Sequence, residues 1–315
     1  MNKKVVILGG GTGMSCLIKG LKQFPIDITA VVSVCDDGKS TGRLRNEFNI
    51  PAMGDIRKVL VSMSTTEPLF EKLLNYRFNT TSDLNGHAIG NLLLIACNDI
   101  SGSMSNGIEI LGSVLNLKGK VLPLTEDNVT LMGKMENNSI VEGEHNITSS
   151  PLKVKDVYYK NNPIVNEKVI DEIKESDLIV LSMGSLFTSV IPNLLCKDII
   201  NEIDKSKAPI VYCCNLVTQP GETDNFKVSD HINTLNRYLG KRKVEYVICN
   251  NGKVDKKIAK KYYSLEQKDP VIYDKKQVLN ENTKVISDNL VTIDNSLLRH
   301  DTLKLAYHLF SLLMK

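Results

Sequence analysis

The feature that most constrains the fold is an apolar run near the amino terminus that ends in a glycine-rich loop. Residues 4–15 read KVVILGGGTGMS, and apolar residues at helical spacing follow the glycines. A short apolar run that leads through glycines into a helix is typical of a buried parallel strand and its crossover helix. A second β-branched run, Ile26 to Val34, completes a βαβ unit. The chain therefore opens like a doubly wound α/β protein with a mostly parallel sheet.

The remainder continues the alternation of strands and helices, with one exception. Further strand-like runs occur at 121–124, 177–182, 209–214 and 244–249. Between about 129 and 160 the pattern changes to alternation around an Asn-Asn-Ser turn, which predicts a small antiparallel β-hairpin. Because the 315 residues contain no long linker or repeat, we expect one α/β domain over 1–315 with this hairpin as a peripheral subregion.

Composition argues against several classes of protein. The formal net charge of +3 is too small to indicate a nucleic-acid partner. No segment approaches the 18 unbroken apolar residues of a membrane-spanning helix, and the amino terminus does not read as a signal peptide. The seven cysteines are scattered without a CxxC pair. We therefore expect reduced thiols and a cytoplasmic protein.

The glycine loop itself predicts an anion-binding site. Small residues between a strand and a helix let phosphate oxygens approach several backbone N–H groups, and the helix dipole adds positive potential there. The candidate ligands are Gly10, Gly11, Thr12 and Gly13. The dinucleotide fingerprint G-x-G-x-x-G is incomplete because Met14 occupies its third glycine position, so the loop favours phosphate or nucleotide binding over NAD in particular. A tight turn without a ligand is the alternative.

A second motif, CDDGKSTGRLR at 35–45, follows the second predicted strand. Asp36 and Asp37 would lie at the carboxyl end of that strand, where parallel sheets bind ligands. They could bind ribose hydroxyls, or hold Mg²⁺ together with phosphate oxygens. We expect Gly38, Ser40 and Gly42 to form a flexible, hydroxyl-bearing turn, with Ser40 as a candidate ligand-binding residue. Arg43 and Arg45 could each form paired hydrogen bonds with phosphate. The alternative is a polar loop with a capping aspartate.

Polar side chains at two later helix starts are further candidates. The GDIR sequence at 54–57 supplies Gly54, Asp55 and Arg57, although Asp55 could be only a helix cap. His87 and Asn91 flank a glycine at the start of a nearly all-apolar helix, where they could face a ligand. No metal-ligand spacing accompanies His87, so a zinc site is not indicated.

Two more strand-end loops complete the candidate site. Gly184 and Ser185 repeat the pattern of a strand, a small-residue turn and a helix. A Pro-Gly turn after the next strand is surrounded by Asn215, Thr218, Gln219 and Glu222. The chain has no nucleophile elbow, Walker lysine loop or paired histidine motif. The remaining candidates for catalysis are Asp36, Asp37, His87 and Glu222.

Taken in series, these motifs resemble the YvcK-like gluconeogenesis-factor family within the CofD superfamily. The motifs are GGGTG at 9–13, DDGKSTGRLR at 36–45, GDIR at 54–57, GHAIGNLLL at 86–94, GSLFTSVIPNLL at 184–195, CNLVTQPGET at 214–223 and RHD at 299–301. Each is weak alone, but their order over nearly the whole chain is specific.

The resemblance implies a Rossmann-like fold that binds UDP-sugars, UDP-N-acetylglucosamine in particular. It also implies a role in growth on gluconeogenic carbon sources, in cell-wall homeostasis and in cell shape, with a cell-wall or metabolic protein as a candidate partner. Arg299 matches an arginine that contacts the UDP-sugar in this branch. Thr302 matches a position that serine/threonine kinases modify in some relatives, where a phosphate would add charge at a helix start.

The sequence leaves three functions open. The first is a UDP-sugar-binding regulator that is not an enzyme and requires no cofactor. The second is the reaction of the superfamily's enzyme branch, Mg²⁺-dependent transfer of a phospholactyl group from a guanosine diphosphate adduct. The third is an NAD-binding protein, which the partial fingerprint permits. Homo-oligomerisation is also left open.

Overall fold

The computed structural model describes residues 2–66, 68–280, 282–294 and 297–315. The strands are β1 Lys3–Gly9, β2 Ile26–Val32, β3 Lys120–Pro123, β4 Leu131–Met135, β5 Ile140–Glu142, β6 Val154–Tyr159, β7 Leu178–Leu181, β8 Ile210–Cys213, β9 Tyr246–Asn250, β10 Lys284–Asp288, β11 Val291–Asp294 and β12 Leu297–His300.

The α-helices are α1 Gly11–Leu21, α2 Lys39–Phe48, α3 Gly54–Met63, α4 Pro68–Asn75, α5 Ile89–Ser101, α6 Met104–Val114, α7 Glu144–Thr148, α8 Glu167–Lys174, α9 Lys197–Lys205, α10 Val228–Tyr238, α11 Lys256–Glu266, α12 Lys275–Asn280 and α13 Thr302–Leu313. A π-helical turn, Leu186–Val190, continues into a 3₁₀ turn, Ile191–Leu194.

Seven parallel strands form the central sheet in the order β10-β9-β8-β7-β1-β2-β3. The apolar residues from Val5 to Leu8 in β1 are at most 1% exposed, as expected for a strand covered on both faces. The chain extends the sheet in one direction from β1 to β3 and in the opposite direction from β7 to β10. This reversal between β1 and β7 creates a crevice at their carboxyl ends, the usual ligand position in open α/β sheets. The predicted Rossmann-like α/β fold is confirmed.

The antiparallel excursion is also confirmed, and it is larger than a hairpin. Strands β4 and β5 pair as predicted, and β6 adds a third antiparallel strand on the other side of β4. The short helix α7 follows β5. A second antiparallel pair, β11 with β12, lies immediately before α13 and was not predicted.

The prediction of a flexible turn in the second motif was wrong, because helix α2 begins at Lys39. Gly42 indicated flexibility in the sequence, but a Cβ on it would lie 2.4 Å from the Asp37 carbonyl oxygen. The glycine therefore permits a close approach of the helix to the preceding loop. Asn49, at φ 51°, ends the helix in the left-handed conformation that such caps use.

The carboxyl-terminal helix α13 packs against the first helix of the fold. Asp301 is its N-cap, and its Oδ1 accepts a hydrogen bond from the Lys304 N–H. A Cβ on Gly20 in α1 would lie 2.1 Å from the Thr302 carbonyl oxygen. Among the residues that the structure describes, no helix is both long and apolar enough to cross a membrane.

Candidate functional site

The glycine loop forms a cradle at the amino end of α1. Gly10 is the N-cap of this helix and has no side-chain cap, so first-turn N–H groups are left for a ligand. Gly11 has φ 62°, in the left-handed region that favours glycine. A Cβ on Gly10 would come within 2.8 Å of Ser33 Oγ and 2.9 Å of Asp55 Oδ2. The glycines therefore let the start of α1 pack directly against Ser33 and Asp55.

The cradle contacts the loop that follows β7 across the crevice. A Cβ on Gly13 would lie 1.4 Å from the Met183 carbonyl oxygen, so α1 and the 182–185 loop approach each other backbone to backbone. This contact aligns the two small-residue loops that the sequence indicated. Ser185 begins the next turn as its N-cap, with Oγ accepting from the Thr188 N–H.

These loops enclose a cavity of about 430 Å³, which we call the cradle cavity. Of the predicted site residues, the structure brings nine to its walls: Gly10, Gly11, Thr12, Gly13, Asp36, Asp55, Gly184, Ser185 and Gln219. Lys58, Glu144 and Lys268 also line it, and sequence reasoning missed all three. Lys58 was accessible to prediction because it lies three residues after Asp55 on the same helix face. Lys268 carried no comparable signal.

Asp55 is a buried carboxylate at the base of the cradle cavity. It is 9% exposed, and burial raises its pKa, while Lys58, 2.9 Å from its Oδ1, opposes that shift. Met53, not Asp55, is the N-cap of α3. Asp55 therefore acts in the cavity wall and not as the cap that was the alternative interpretation.

Glu144 enters the cradle cavity from the antiparallel subregion. It is the first residue of α7, and burial raises its pKa to about 7. The nearby charge of Asp36 raises the pKa further, while a hydrogen bond with the Thr188 side chain lowers it. The peripheral sheet thus contributes an acidic group to the crevice, which the alternating pattern at 129–160 did not indicate.

The two adjacent aspartates have different surroundings. Asp37 Oδ1 accepts a hydrogen bond from the His145 N–H at 2.7 Å, which fixes the second motif to α7. Asp36 Oδ1 accepts from the Gly38 N–H at 3.0 Å, and Asp36 borders the cradle cavity and a second cleft.

Asp36 is therefore the better placed of the pair for Mg²⁺, which needs one or two protein carboxylates when phosphate supplies the other oxygens. Within the described ranges, no group of three or more His, Cys, Asp or Glu side chains is arranged to hold a metal ion alone. The donor set fits a cation that arrives with a phosphate ligand and does not fit an all-protein metal site.

The second cleft has a volume of about 830 Å³ and lies beside the cradle cavity. Ser40, Arg43 and Arg77 line it together with Asp36. Ser40 Oγ lies 3.0 Å from His87 Nδ1, which joins the second motif to the start of α5. Burial lowers the pKa of His87, so its imidazole is neutral at pH 7.

Arg57 and Asn91 belong to a buried network behind this cleft. Arg57 is 4% exposed, and its Nε donates to Asn91 Oδ1 at 2.9 Å. A second hydrogen bond runs from Arg57 to the Asn75 side chain. Gly90 permits this packing, since a Cβ on it would lie 2.7 Å from Arg57 Cδ. The network holds α3 against α5, and neither side chain lines the cradle cavity.

Gly54 is also a packing position at the border of the two cavities. A Cβ on it would lie 2.6 Å from Asp36 Oδ2 and 2.8 Å from Thr41 Oγ1. The glycine therefore allows the start of α3 to approach the second motif.

Glu222 is a buried anchor for the loop after β8. Its Oε2 accepts from Ser185 Oγ at 2.5 Å and from the Phe187 N–H at 3.1 Å, while Oε1 accepts from Gln219 Nε2 at 2.6 Å. It is 3% exposed, and burial raises its pKa. Its position favours holding two loops together over proton transfer to a ligand.

Asn215 and Thr218 contribute differently to the same loop. Asn215 Nδ2 donates to the Gly184 carbonyl oxygen at 2.7 Å, and its Oδ1 is buried without a hydrogen-bond partner among the described residues. Thr218 is 3% exposed, and its Oγ1 accepts from the Asp269 N–H at 2.9 Å. Thr218 therefore fixes the segment that carries Lys268 to the cradle cavity.

The structure does not bring Arg299 and Thr302 to the cradle wall. Arg299 is an exposed residue of β12. Its neighbour His300 lies with Nε2 3.1 Å from the Cys214 carbonyl oxygen, so β12 lies beside the carboxyl end of β8. Thr302 is the first residue of α13 and is partly exposed. Their predicted roles in phosphate contact and phosphorylation stay predictions.

Comparisons with known proteins agree with this architecture. The family model for 2-phospho-L-lactate transferase CofD matches residues 5–291. The chain belongs to the CofD family. This CofD-family chain is 43% identical to a protein named gluconeogenesis factor from Bacillus subtilis over 98% of both chains. It is 41% identical to a putative gluconeogenesis factor from Thermotoga maritima, over 96% of this chain and 97% of the relative.

A solved structure gives the same result at the level of the fold. A crystal structure of a Bacillus halodurans protein superposes with a TM-score of 0.95 at 40% identity, covering 98% of this chain and 100% of that one. The resemblance to the gluconeogenesis-factor branch of the CofD family is thereby confirmed.

Proposed function

We propose that this chain is a nucleotide-sugar-binding regulatory protein whose ligand is UDP-N-acetylglucosamine. The observation that carries the proposal is the cradle cavity, in which the uncapped start of α1 opens onto space lined by Lys58 and Lys268. Backbone N–H groups and two ammonium groups are suited to a diphosphate. The similarity of this chain to proteins named gluconeogenesis factor, over nearly the whole length of both, supports a role in growth on gluconeogenic carbon sources.

The arrangement around the diphosphate follows from the crevice. Asp36 borders the cradle cavity and can contact a ribose or a bound Mg²⁺. Gln219 lines the cavity and can contact the sugar or the base, while Asn215 supports the same wall by donating to the Gly184 carbonyl oxygen. Arg299 on β12 would neutralise phosphate charge from outside the cavity.

A regulatory role fits the hydrogen bonds that the candidate catalytic residues already make within the protein. Glu222 is occupied by three hydrogen bonds, and Asp37 by the His145 N–H. His87 is paired with Ser40 outside the cradle cavity. Binding that changes a surface read by a cell-wall or metabolic partner is the simplest use of such a site.

The second candidate function is Mg²⁺-dependent phospholactyl transfer. The match to the CofD family model is compatible with it, and one structural observation favours it. Asp36 lies between a phosphate cradle and a larger cleft, as a cation bridging donor and acceptor would require.

Calorimetric titration distinguishes these functions. The purified chain is titrated with UDP-N-acetylglucosamine, GDP and NAD⁺, each with and without Mg²⁺, and the nucleotide is recovered afterwards. We expect selective binding of the UDP-sugar, which is recovered unaltered. Mg²⁺-dependent binding of GDP without binding of the UDP-sugar would contradict the proposal and favour the transferase. Selective NAD⁺ binding would contradict both.

A further inference from the structure

The 830 Å³ cleft beside the cradle cavity is more basic than the proposed nucleotide site requires. We call it the arginine cleft, after Arg43 and Arg77 in its walls. Neither guanidinium reaches the cradle cavity, which has Lys58 and Lys268 as its own cations. The arginine cleft therefore represents a concentration of positive charge that the cradle leaves unexplained.

Several cationic groups lie close together around this cleft. The charges of Arg43 and Arg77 both lower the pKa of His87, after the larger effect of burial. The charge of Arg77 likewise lowers the pKa of Arg57, again after burial. Positive charges placed near one another repel, so bringing these arginines together has an electrostatic cost. A bound anion would offset that cost.

The acidic groups near the cleft are too few or too exposed to neutralise it. Asp83 is fully exposed and lies 3.9 Å from Arg43, and an ion pair of this kind contributes little. The charge of Glu47 raises the pKa of His87, whereas the charges of the two arginines lower it. Asp36 lines the cleft but is shared with the cradle cavity. The cleft therefore keeps unneutralised guanidinium donors.

Neutral donors also border the cleft. Gly38 and Gly86 line it, and each precedes the start of a helix, α2 and α5 respectively. Neither helix has a side-chain cap hydrogen bond at its amino end. The uncapped N–H groups at these two helix starts favour an anionic ligand beside the arginines.

We propose that the arginine cleft binds a second small anion, a phosphate monoester or a carboxylate, beside the nucleotide. Two guanidinium groups can each form paired hydrogen bonds with such a planar or tetrahedral anion. Because Asp36 borders both cavities, the second ligand would lie next to the diphosphate. The chain would then respond to two metabolites. This proposal does not depend on which nucleotide occupies the cradle.

The test titrates the protein calorimetrically in a low-salt buffer without phosphate. The probes are inorganic phosphate, glycerol 3-phosphate and succinate, which separate the phosphate class from the carboxylate class. Arg77→Gln and Arg43→Gln are compared with the matched control Arg237→Gln, an exposed arginine on α10. We expect at least one probe to bind the unmodified chain. Each cleft variant should bind it at least fivefold more weakly, and the control within twofold. Thermal unfolding checks that each variant is folded.

Two outcomes would overturn the proposal. One is that no probe binds, or that the cleft variants and the control bind alike. The other is that the probe and UDP-N-acetylglucosamine exclude each other when the titration is repeated at a saturating concentration of the UDP-sugar, because the cleft would then be part of the nucleotide site. Simultaneous binding of the two supports a second site. If the UDP-sugar itself does not bind, the variant comparison still decides the inference, so the two failures are distinguishable.

Discussion

At the scale of single residues, the partners of a buried carboxylate decide whether it is available for ligand chemistry. Glu222 and Asp55 are both buried carboxylates with raised pKa, but their partners differ. Glu222 is held by donors from two loops, whereas Asp55 has one ammonium partner and faces the cradle cavity. The sequence presented both as polar residues near glycines and could not separate these environments.

Glu144 gives a pH-dependent prediction. Burial raises its folded pKa to about 7, against 4.5 for an unperturbed glutamate, so the folded chain retains a proton that the unfolded chain loses between these values. The free energy of unfolding should therefore fall as the pH rises through this window. Because glutamine does not titrate, Glu144→Gln should gain stability relative to the unmodified chain as the pH rises from 5 to 8.

The matched control is Glu142→Gln, a half-exposed residue of the same subregion that pairs with Lys160 at 2.8 Å. Chemical denaturation of all three chains at pH 5, 6, 7 and 8 gives the comparison. A difference between the Glu144 variant and the unmodified chain that does not change with pH would contradict the assigned environment.

Arg299 gives a prediction about affinity. Because it is exposed on β12, Arg299→Ala should leave the thermal unfolding midpoint unchanged. We expect UDP-N-acetylglucosamine to bind about tenfold more weakly, or about 1.4 kcal/mol, through loss of one charge-assisted contact. Arg237→Ala is the control. Equal affinity of the two variants would remove Arg299 from the site.

At the scale of elements, close backbone contacts explain the glycines better than flexibility does. Gly13 and Gly42 each allow a helix to meet a carbonyl oxygen, of Met183 and Asp37 respectively. The sequence indicated that glycines were needed at these places but not what they approach. For that reason α2 was mistaken for a loop, while the strand-loop-helix unit at the amino terminus was predicted correctly.

The close approach of Gly13 to the loop that contains Met183 and Gly184 predicts the effects of two alanine substitutions, one on each side of the contact. Gly13→Ala would place a Cβ 1.4 Å from the Met183 carbonyl oxygen, and backbone cannot rotate away, so we expect a loss of at least about 3 kcal/mol of stability. At Gly184 the nearest atom would lie 3.5 Å away, an ordinary contact, so Gly184→Ala should cost less than about 1 kcal/mol. Urea denaturation measures both. Similar losses in the two variants would contradict the packing described.

At the scale of the whole molecule, the reversal of strand order between β7 and β1 assembles the site. It brings the predicted loops after β1, β2, β7 and β8 to one crevice, and the sequence motifs located these loops correctly. The motifs could not show that the crevice divides into two cavities at Asp36. Nor could they place Glu144 and Lys268 there, because both come from segments distant in sequence and outside any recognisable motif.

The central claim is that the cradle at α1 holds the diphosphate, and Thr12 tests it most directly. Thr12 is exposed at the start of α1 and lines the cradle cavity, so substitution there should not disturb packing. Thr12→Asp introduces a carboxylate where phosphate would bind, while Thr12→Asn has nearly the same shape without the charge. The helix dipole stabilises a negatively charged aspartate in the first turn, so the Thr12→Asp variant should remain folded.

The measurement is the calorimetric affinity of both variants for UDP-N-acetylglucosamine. The account predicts that Thr12→Asp binds at least tenfold more weakly than Thr12→Asn, or at least about 1.4 kcal/mol. Equal affinities in the two folded variants would mean that the diphosphate lies elsewhere, and would contradict the account.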